Sequence, residues 1–152
     1  MTRNNLIILA AGGSLALLLG AFAFQYMGGM APCELCIWQR WPHGVAIVAG
    51  LLALMMRGKF WPLVGMLGAA ATGAIGVYHT GVEQKWWQGP TSCTSSGTSG
   101  MSAEDLLEQI MAAPLVRCDE IPWEMFGLSM ASWNAIASFA LALIWLMAWK
   151  RS

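Results

Sequence analysis

Charge is what this sequence has least of. Only 11% of its 152 residues are Asp, Glu, Lys or Arg, where soluble domains run at about 25%. The eight basic and eight acidic residues cancel, so no basic surplus is left to hold nucleic acid. Cysteine is also scarce. The four present, Cys33, Cys36, Cys93 and Cys118, allow at most two disulfides or one metal site. What stands in place of charge is apolar: 57% of the residues are hydrophobic and the mean hydropathy is +0.57. Such a chain finds much of its solvent in lipid, and its length suits a single domain, 1–152.

A membrane-spanning helix needs about 20 mainly apolar residues. Four runs qualify or come close: 6–27, 41–56, 61–80 and 132–149. The first follows Arg3 and holds no charge, with Gln25 its one strongly polar side chain. It exceeds the roughly 7–15 residues of a signal-peptide core, so it reads as a span. Pro62 falls in the first turn of the third run, where a missing N–H costs little. Gly65, Gly68, Ala69, Gly73 and Gly76 would let that helix approach its neighbours closely. The expected fold is an all-α, four-transmembrane-helix bundle with loops at about 28–40 and 81–131.

Basic residues in short loops orient such a bundle. With the N-terminus cytoplasmic, Arg3, Arg57, Lys59, Lys150 and Arg151 lie inside, and Arg40, Lys85 and Arg117 outside. All eight acids then fall outside as well. The expected topology is therefore N-in and C-in, with all four cysteines outside; in a bacterium that is the oxidising periplasm, where disulfides persist. Trp38, Trp41, Trp86, Trp87, Trp123 and Trp133 read as an outer aromatic belt, and Trp61, Trp145 and Trp149 as an inner one.

The long outer loop is built from small polar residues over 88–102, with Cys93 inside that tract. Such composition predicts a flexible tether, suited to a cysteine that meets more than one partner. Ser102 and Asp105 resemble a helix-capping pair, and Leu106, Leu107, Ile110 and Met111 recur at helical spacing. A short horizontal helix on the outer membrane surface is expected there, ended by Pro114 and followed by Cys118.

Cys33-Glu34-Leu35-Cys36 brings two sulfurs together, a spacing that serves redox chemistry or metal binding. A zinc site from all four cysteines is the competing reading, but structural zinc generally uses two short-spaced pairs, and Cys93 and Cys118 are far apart in sequence. Arg40 follows Cys36 by four residues, on the same face if the stretch is helical. A fixed positive charge there would favour the Cys36 thiolate or polarise a carbonyl oxygen on a bound acceptor. His79, near the outer end of the third run, could donate to such an oxygen. His43 is placed only by its neighbourhood.

Residues 32–40, Pro-Cys-Glu-Leu-Cys-Ile-Trp-Gln-Arg, strongly resemble the signature of the DsbB family, the quinone-reducing membrane oxidases of bacterial disulfide formation. The resemblance covers the whole chain: four spans, the vicinal pair before the second, and a second pair in the later loop. His79-Thr80 and Phe126-Gly127-Leu128 fit it too. The vitamin-K-epoxide-reductase-like family, also four-helical and quinone-linked, places its shuttle cysteines first, the reverse of the order here.

The resemblance implies an inner-membrane protein-dithiol:quinone oxidoreductase. Cys93 matches the cysteine attacked by a periplasmic DsbA-like, thioredoxin-fold partner, with Cys118 as its mate. Cys33 and Cys36 match the quinone-coupled pair, Arg40 the quinone-site arginine, and His79 a histidine near the quinone. The implied cofactor is ubiquinone or menaquinone, and the expected resting disulfides are Cys33–Cys36 and Cys93–Cys118. The non-enzymatic alternative is a membrane scaffold with two structural disulfides.

Overall fold

A computed structural model of the chain describes residues 1–90, 102, 104, 107 and 116–152. The expected all-α four-helix bundle forms, from α1 (Arg3–Tyr26), α2 (Glu34–Met55), α3 (Phe60–Glu83) and α4 (Met130–Lys150). A small hairpin, β1 (Glu124–Met125) paired with β2 (Leu128–Ser129), precedes α4. Helices α1, α3 and α4 are long and apolar enough to cross a membrane, and the chain is a multi-pass membrane protein. Leu19, Val48, Leu51, Leu67 and Leu143 stand largely exposed on the outside of the bundle, as they should where lipid replaces water.

Each helix packs against two neighbours in the order α1, α2, α3, α4 and back to α1, with α1 and α3 diagonal. Small residues set the close approaches. A Cβ at Gly68 would meet the Pro42 carbonyl of α2 at 3.0 Å, and one at Gly76 would meet the Ala131 carbonyl of α4 at 3.1 Å. Trp145 departs from the belt expected of it. It is fully buried, seated where Gly65 lacks a side chain: a Cβ there would fall 2.6 Å from the indole ring. The glycine makes room for a large ring in the core, so Trp145 anchors helices to one another and not to the interface.

Arg3 ties one end of the bundle together. Its Nε donates to Ser152 Oγ at 2.9 Å and its Nη2 to the Ala53 carbonyl at 2.9 Å. The start of α1, the end of α2 and the end of α4 therefore lie at one pole. The opposite pole holds Cys33, the end of α3, the hairpin and Cys118.

Local chemistry shapes that second pole. Helix α2 begins at Glu34, well before its apolar run, because Cys33 caps it: the Cys36 N–H donates to Cys33 Sγ at 3.3 Å. The vicinal pair is thus the first turn of a helix and not a stretch of loop. Ser129 caps α4 by accepting from the Ser132 N–H at 3.2 Å. Phe126 and Gly127, with φ of 55° and 74°, form the two-residue left-handed turn that suits a tight hairpin. Trp133 Nε1 donates to the Met125 carbonyl at 3.2 Å and fixes the hairpin to α4. The surface helix expected from Ser102 to Pro114 lies mostly outside the described residues; Glu104 and Leu107 within it are helical. Cys93 lies outside the described residues.

Candidate functional site

Cys33 and Cys36 stand as thiols with their sulfurs 2.8 Å apart. The pair is in its dithiol form, not the disulfide expected of the resting protein, and a small approach would bring it to the ~2.05 Å of a disulfide. Cys33 donates its S–H to Cys36. That hydrogen bond holds the Cys36 thiol below its ordinary value of 9.0, with a smaller contribution from the Arg40 charge, while burial works the other way. The same bond, and then burial, push Cys33 up. Of the two, Cys36 is therefore the one that gives up its proton more readily, and the helix N-terminus above it favours that charge.

Cys118 is disulfide-bonded and fully buried. It packs with Cys33, Leu35 and Val82 in a small cluster, to which Cys36 and Val116 add their edges. The Cys33 and Cys118 sulfurs and a ring nitrogen of His79 all lie within 4.8 Å of one another. These are metal-ligand residue types, but a sulfur committed to a disulfide offers no thiolate to a metal. Proximity of this kind is what sulfur-to-sulfur exchange requires. Cys33, farther from the apolar run that begins at Trp41 and so expected to be the more exposed of the pair, is buried, and Cys36 is the more open of the two. Cys33 turns inward beneath Cys118, and both residues line a cavity, Cys36 the more openly.

A chain of buried polar groups holds His79. Gln39 Nε2 donates to the Leu35 carbonyl at 3.1 Å and to His79 Nδ1 at 3.0 Å. In the neutral ring the proton then sits on Nε2, which faces Cys33 Sγ at 3.6 Å and Glu83 Oε1 at 3.8 Å. The ring also bonds the backbone of Cys118. Glu83, one of the acids expected on the outer side of the membrane, is buried, and its carboxylate accepts from Ser129 Oγ. Ser129 is in turn 3.1 Å from Ser132, and Ser132 is 3.0 Å from Thr80.

Beside the sulfurs lies a cavity of about 600 Å³, in the size range of small-molecule sites. Its wall is mainly apolar side chains of α1, with Trp133 and Met130 of α4, and its polar points are few: Cys36, Arg40, His43, His79 and Glu83 among them. Arg40 shares a helical face with Cys36, as expected. Its Nη1 donates to Gln25 Oε1 at 2.6 Å, and its guanidinium lies 4.8 Å from the centre of the Phe22 ring. Its buried Nε has no partner among the described residues. At the rim, Arg117 grips Asp119 through two bonds of 2.9 and 2.7 Å, which hold the Asp119 carboxyl below its usual range.

The structure thus brings together Cys33, Cys36, Cys118, Arg40 and His79. Sequence reasoning did not single out Gln39, Glu83 or Asn134 and passed lightly over Gln25. For Gln25 and Asn134 the available signal was a strongly polar residue inside an apolar span, where such groups are expensive and tend to be functional; Gln39 and Glu83 fall just outside the apolar runs and carried no such signal.

Residues 3–148 match the family profile described as "Disulfide bond formation protein DsbB". A relative named Disulfide bond formation protein B 2, from Pseudomonas aeruginosa, is 30% identical over 143 residues, covering 90% of this chain and 83% of its own. Disulfide bond formation protein B of Stutzerimonas stutzeri is 28% identical over 152 residues, covering 93% and 91% respectively. That of a Shewanella species (strain MR-4) is 28% identical over 144 residues, covering 90% and 80%. No solved structure matches the chain.

Proposed function

Because this chain belongs to the DsbB family of membrane disulfide-forming oxidoreductases, we propose that it reoxidises a periplasmic DsbA-like dithiol protein and delivers the electrons to a membrane quinone. The observation that carries this reading is the meeting of Cys33, Cys118 and His79 within 4.8 Å. It joins the two cysteine pairs at a distance suited to exchange, at the pole opposite both termini. In this reading that pole is periplasmic and the termini are cytoplasmic.

The exchange begins at a Cys93–Cys118 disulfide. A partner thiolate attacks the Cys93 sulfur and Cys118 leaves as a thiolate. The partner's second thiolate can then displace Cys93 and close the partner's own disulfide. The Cys118 thiolate attacks Cys33 of the Cys33–Cys36 disulfide, forming Cys33–Cys118 and expelling Cys36. A good leaving thiolate speeds such exchange, and Cys36 is the one of its pair that gives up its proton more readily. The Cys93 thiolate then attacks Cys118, restores Cys93–Cys118 and releases Cys33. The two electrons now reside on Cys33 and Cys36 as a dithiol.

The cavity fits an aromatic acceptor ring. It is mostly apolar, Cys36 lines it, and Arg40 brings a buried donor nitrogen without a partner. Arg40 and Cys36 would hold the ring of a quinone, which when bound supplies an acceptor for two electrons and two protons. Gln25 and Phe22 fix the guanidinium from α1. His79, with its Nε2 toward Cys33, can donate to the thiolate that exchange leaves there.

The test is quinone reduction by the purified protein in nanodiscs, supplied with a reduced thioredoxin-fold partner and a short-chain quinone. Loss of quinone absorbance matched by partner oxidation is expected, and Cys36→Ala should abolish it. Partner oxidation without quinone consumption would overturn the reading.

A further inference from the structure

Among the described residues, the cavity's polar points include one acceptor with no protein partner. His43 is 97% buried (3% exposed) and lines the cavity, and its Nδ1 makes no hydrogen bond. A buried polar atom left unpaired is costly and calls for a reason.

Its neighbours determine what that atom can do. Thr72 Oγ1 donates to the Gln39 carbonyl at 3.0 Å, so its lone pairs face Asn134 Nδ2, which donates to it at 3.2 Å. Asn134 Nδ2 also donates to Gln39 Oε1 at 2.7 Å; that oxygen is identified because Gln39 Nε2 donates to the Leu35 carbonyl. Ser138 Oγ donates to Asn134 Oδ1 at 3.4 Å. Three neighbours thus agree that Asn134 turns its oxygen toward His43 Nε2, 3.0 Å away. The neutral His43 ring must then carry its proton on Nε2, and Nδ1 is left as a lone-pair acceptor.

We infer that His43 is a further ligand-binding residue of this cavity, accepting at Nδ1 a hydrogen bond from a ring hydroxyl, so that the site recognises hydroxylated rings of the hydroquinone type as well as their carbonyl counterparts. The inference rests on the reading of the cavity as the acceptor site and deepens it. Arg40 lies three residues before His43 on α2, one turn away, where side chains are neighbours. The pair offers a ligand one donor, Arg40 Nε, and one acceptor, His43 Nδ1. A carbonyl or ether oxygen satisfies the first and only a hydroxyl satisfies the second. Burial of both atoms and the absence, among the described residues, of a protein partner for either make the two complementary, and the five-residue polar chain of Thr72, Gln39, Asn134, Ser138 and His43 holds the acceptor ready without a ligand.

Two redox-inert probes separate the terms: 4-hexyloxyphenol and its methyl ether. Both present an ether oxygen to Arg40, and only the phenol can donate to His43. Binding to the full chain in nanodiscs is read by tryptophan quenching, corrected for partition into empty discs, with displacement by a short-chain quinone as the check on location. The phenol should bind about two- to tenfold more tightly than the ether, the range of one net hydrogen bond, and His43→Phe should bring the ratio to near one. A readout on the unmodified protein guards against a variant that does not fold. The chain has two histidines, so ¹⁵N-labelled imidazole spectra are assignable. His43 Nδ1 should resonate as a non-protonated nitrogen and shift on addition of the phenol but not of the ether. Equal binding of both probes, a ratio that survives His43→Phe, or a protonated Nδ1 in the free protein would each overturn the inference and leave the acceptor site standing. Failure of both probes and of the quinone to bind would overturn the reading of the cavity with it.

Discussion

Gln39 on α2 donates to His79 on α3 across 3.0 Å, and through that bond it decides which nitrogen of the ring faces Cys33. Gln39 Oε1 simultaneously accepts from Asn134 on α4. One amide therefore joins three helices and sets the proton position beside the reactive sulfurs.

Gln39→Leu should expose that dependence. It removes the donor to a buried ring nitrogen and one acceptor from Asn134. A loss of about 1–3 kcal/mol of stability is expected for a buried group left unpaired, read by unfolding in mixed micelles. Exchange at Cys33 should slow by roughly ten- to a hundredfold, the scale of a misplaced catalytic group, in a stopped-flow assay with reduced partner. Faster exchange would show that His79 needs no such orientation.

The reduced vicinal pair should carry a pH signature. Cys36 is depressed below its ordinary value of 9.0 chiefly by the bond from Cys33, so alkylation of Cys36 in the dithiol protein should reach half its maximal rate below pH 9.0. A depressed folded-state value also means that the thiolate's contribution to stability is present above the unfolded thiol's value and is lost as pH falls through the folded one. Cys33→Ala should raise the alkylation midpoint, since the bond that lowers it most is then gone, and Arg40→Met should raise it less. A midpoint unmoved by Cys33→Ala would assign the thiolate to another cause.

Much of this arrangement was legible in the sequence. The four helices announced themselves by apolar length, and the closeness of α3 to α2 and α4 by Gly68 and Gly76. Cys33, Cys36, Cys118, Arg40 and His79 were all named, because reactive residue types in an apolar chain have few bland explanations. The misreadings have physical causes. The start of α2 was set late because hydropathy sees the run from Trp41 but not a cysteine sulfur capping a helix at Cys33. Trp145 was assigned to an interface because its place near a helix end says nothing of the gap that Gly65 leaves for it. Glu83 was not singled out because its burial depends on Ser129, which the hairpin turn at Phe126 and Gly127 delivers from far along the chain. The order of exposure of Cys33 and Cys36 depends on which face of α2 the Cys118 turn covers, a matter of packing that spacing does not encode.

Arg40→Lys tests the cavity's donor. Lysine keeps the charge but loses the planar fork that reaches Gln25 while lying against Phe22. The KM for a short-chain quinone should rise roughly tenfold, the scale of one charge-assisted hydrogen bond. The adduct between Cys93 and a reduced partner should still form, since Arg40 takes no part in that exchange. An unchanged KM would reduce Arg40 to an arginine reaching for the interface.

The path of the electrons makes the sharpest prediction. Cys33, not Cys36, shares the 4.8 Å cluster with Cys118. In Cys36→Ala the Cys33 sulfur has lost its vicinal mate and is left as a thiol. Its thiolate can attack Cys118 of a Cys93–Cys118 disulfide, forming Cys33–Cys118 and releasing Cys93 as a thiolate. One S–S bond breaks and one forms, so no outside oxidant is needed. The purified variant should therefore hold a fraction of its molecules as Cys33–Cys118, detected by peptide mapping after acid quench. In Cys33→Ala the remaining Cys36 faces the cavity and lies outside that cluster, so a Cys36–Cys118 link should be scarce. Equal linkage in the two variants, or linkage only through Cys36, would mean that the buried position of Cys33 beneath Cys118 is not the route between the pairs.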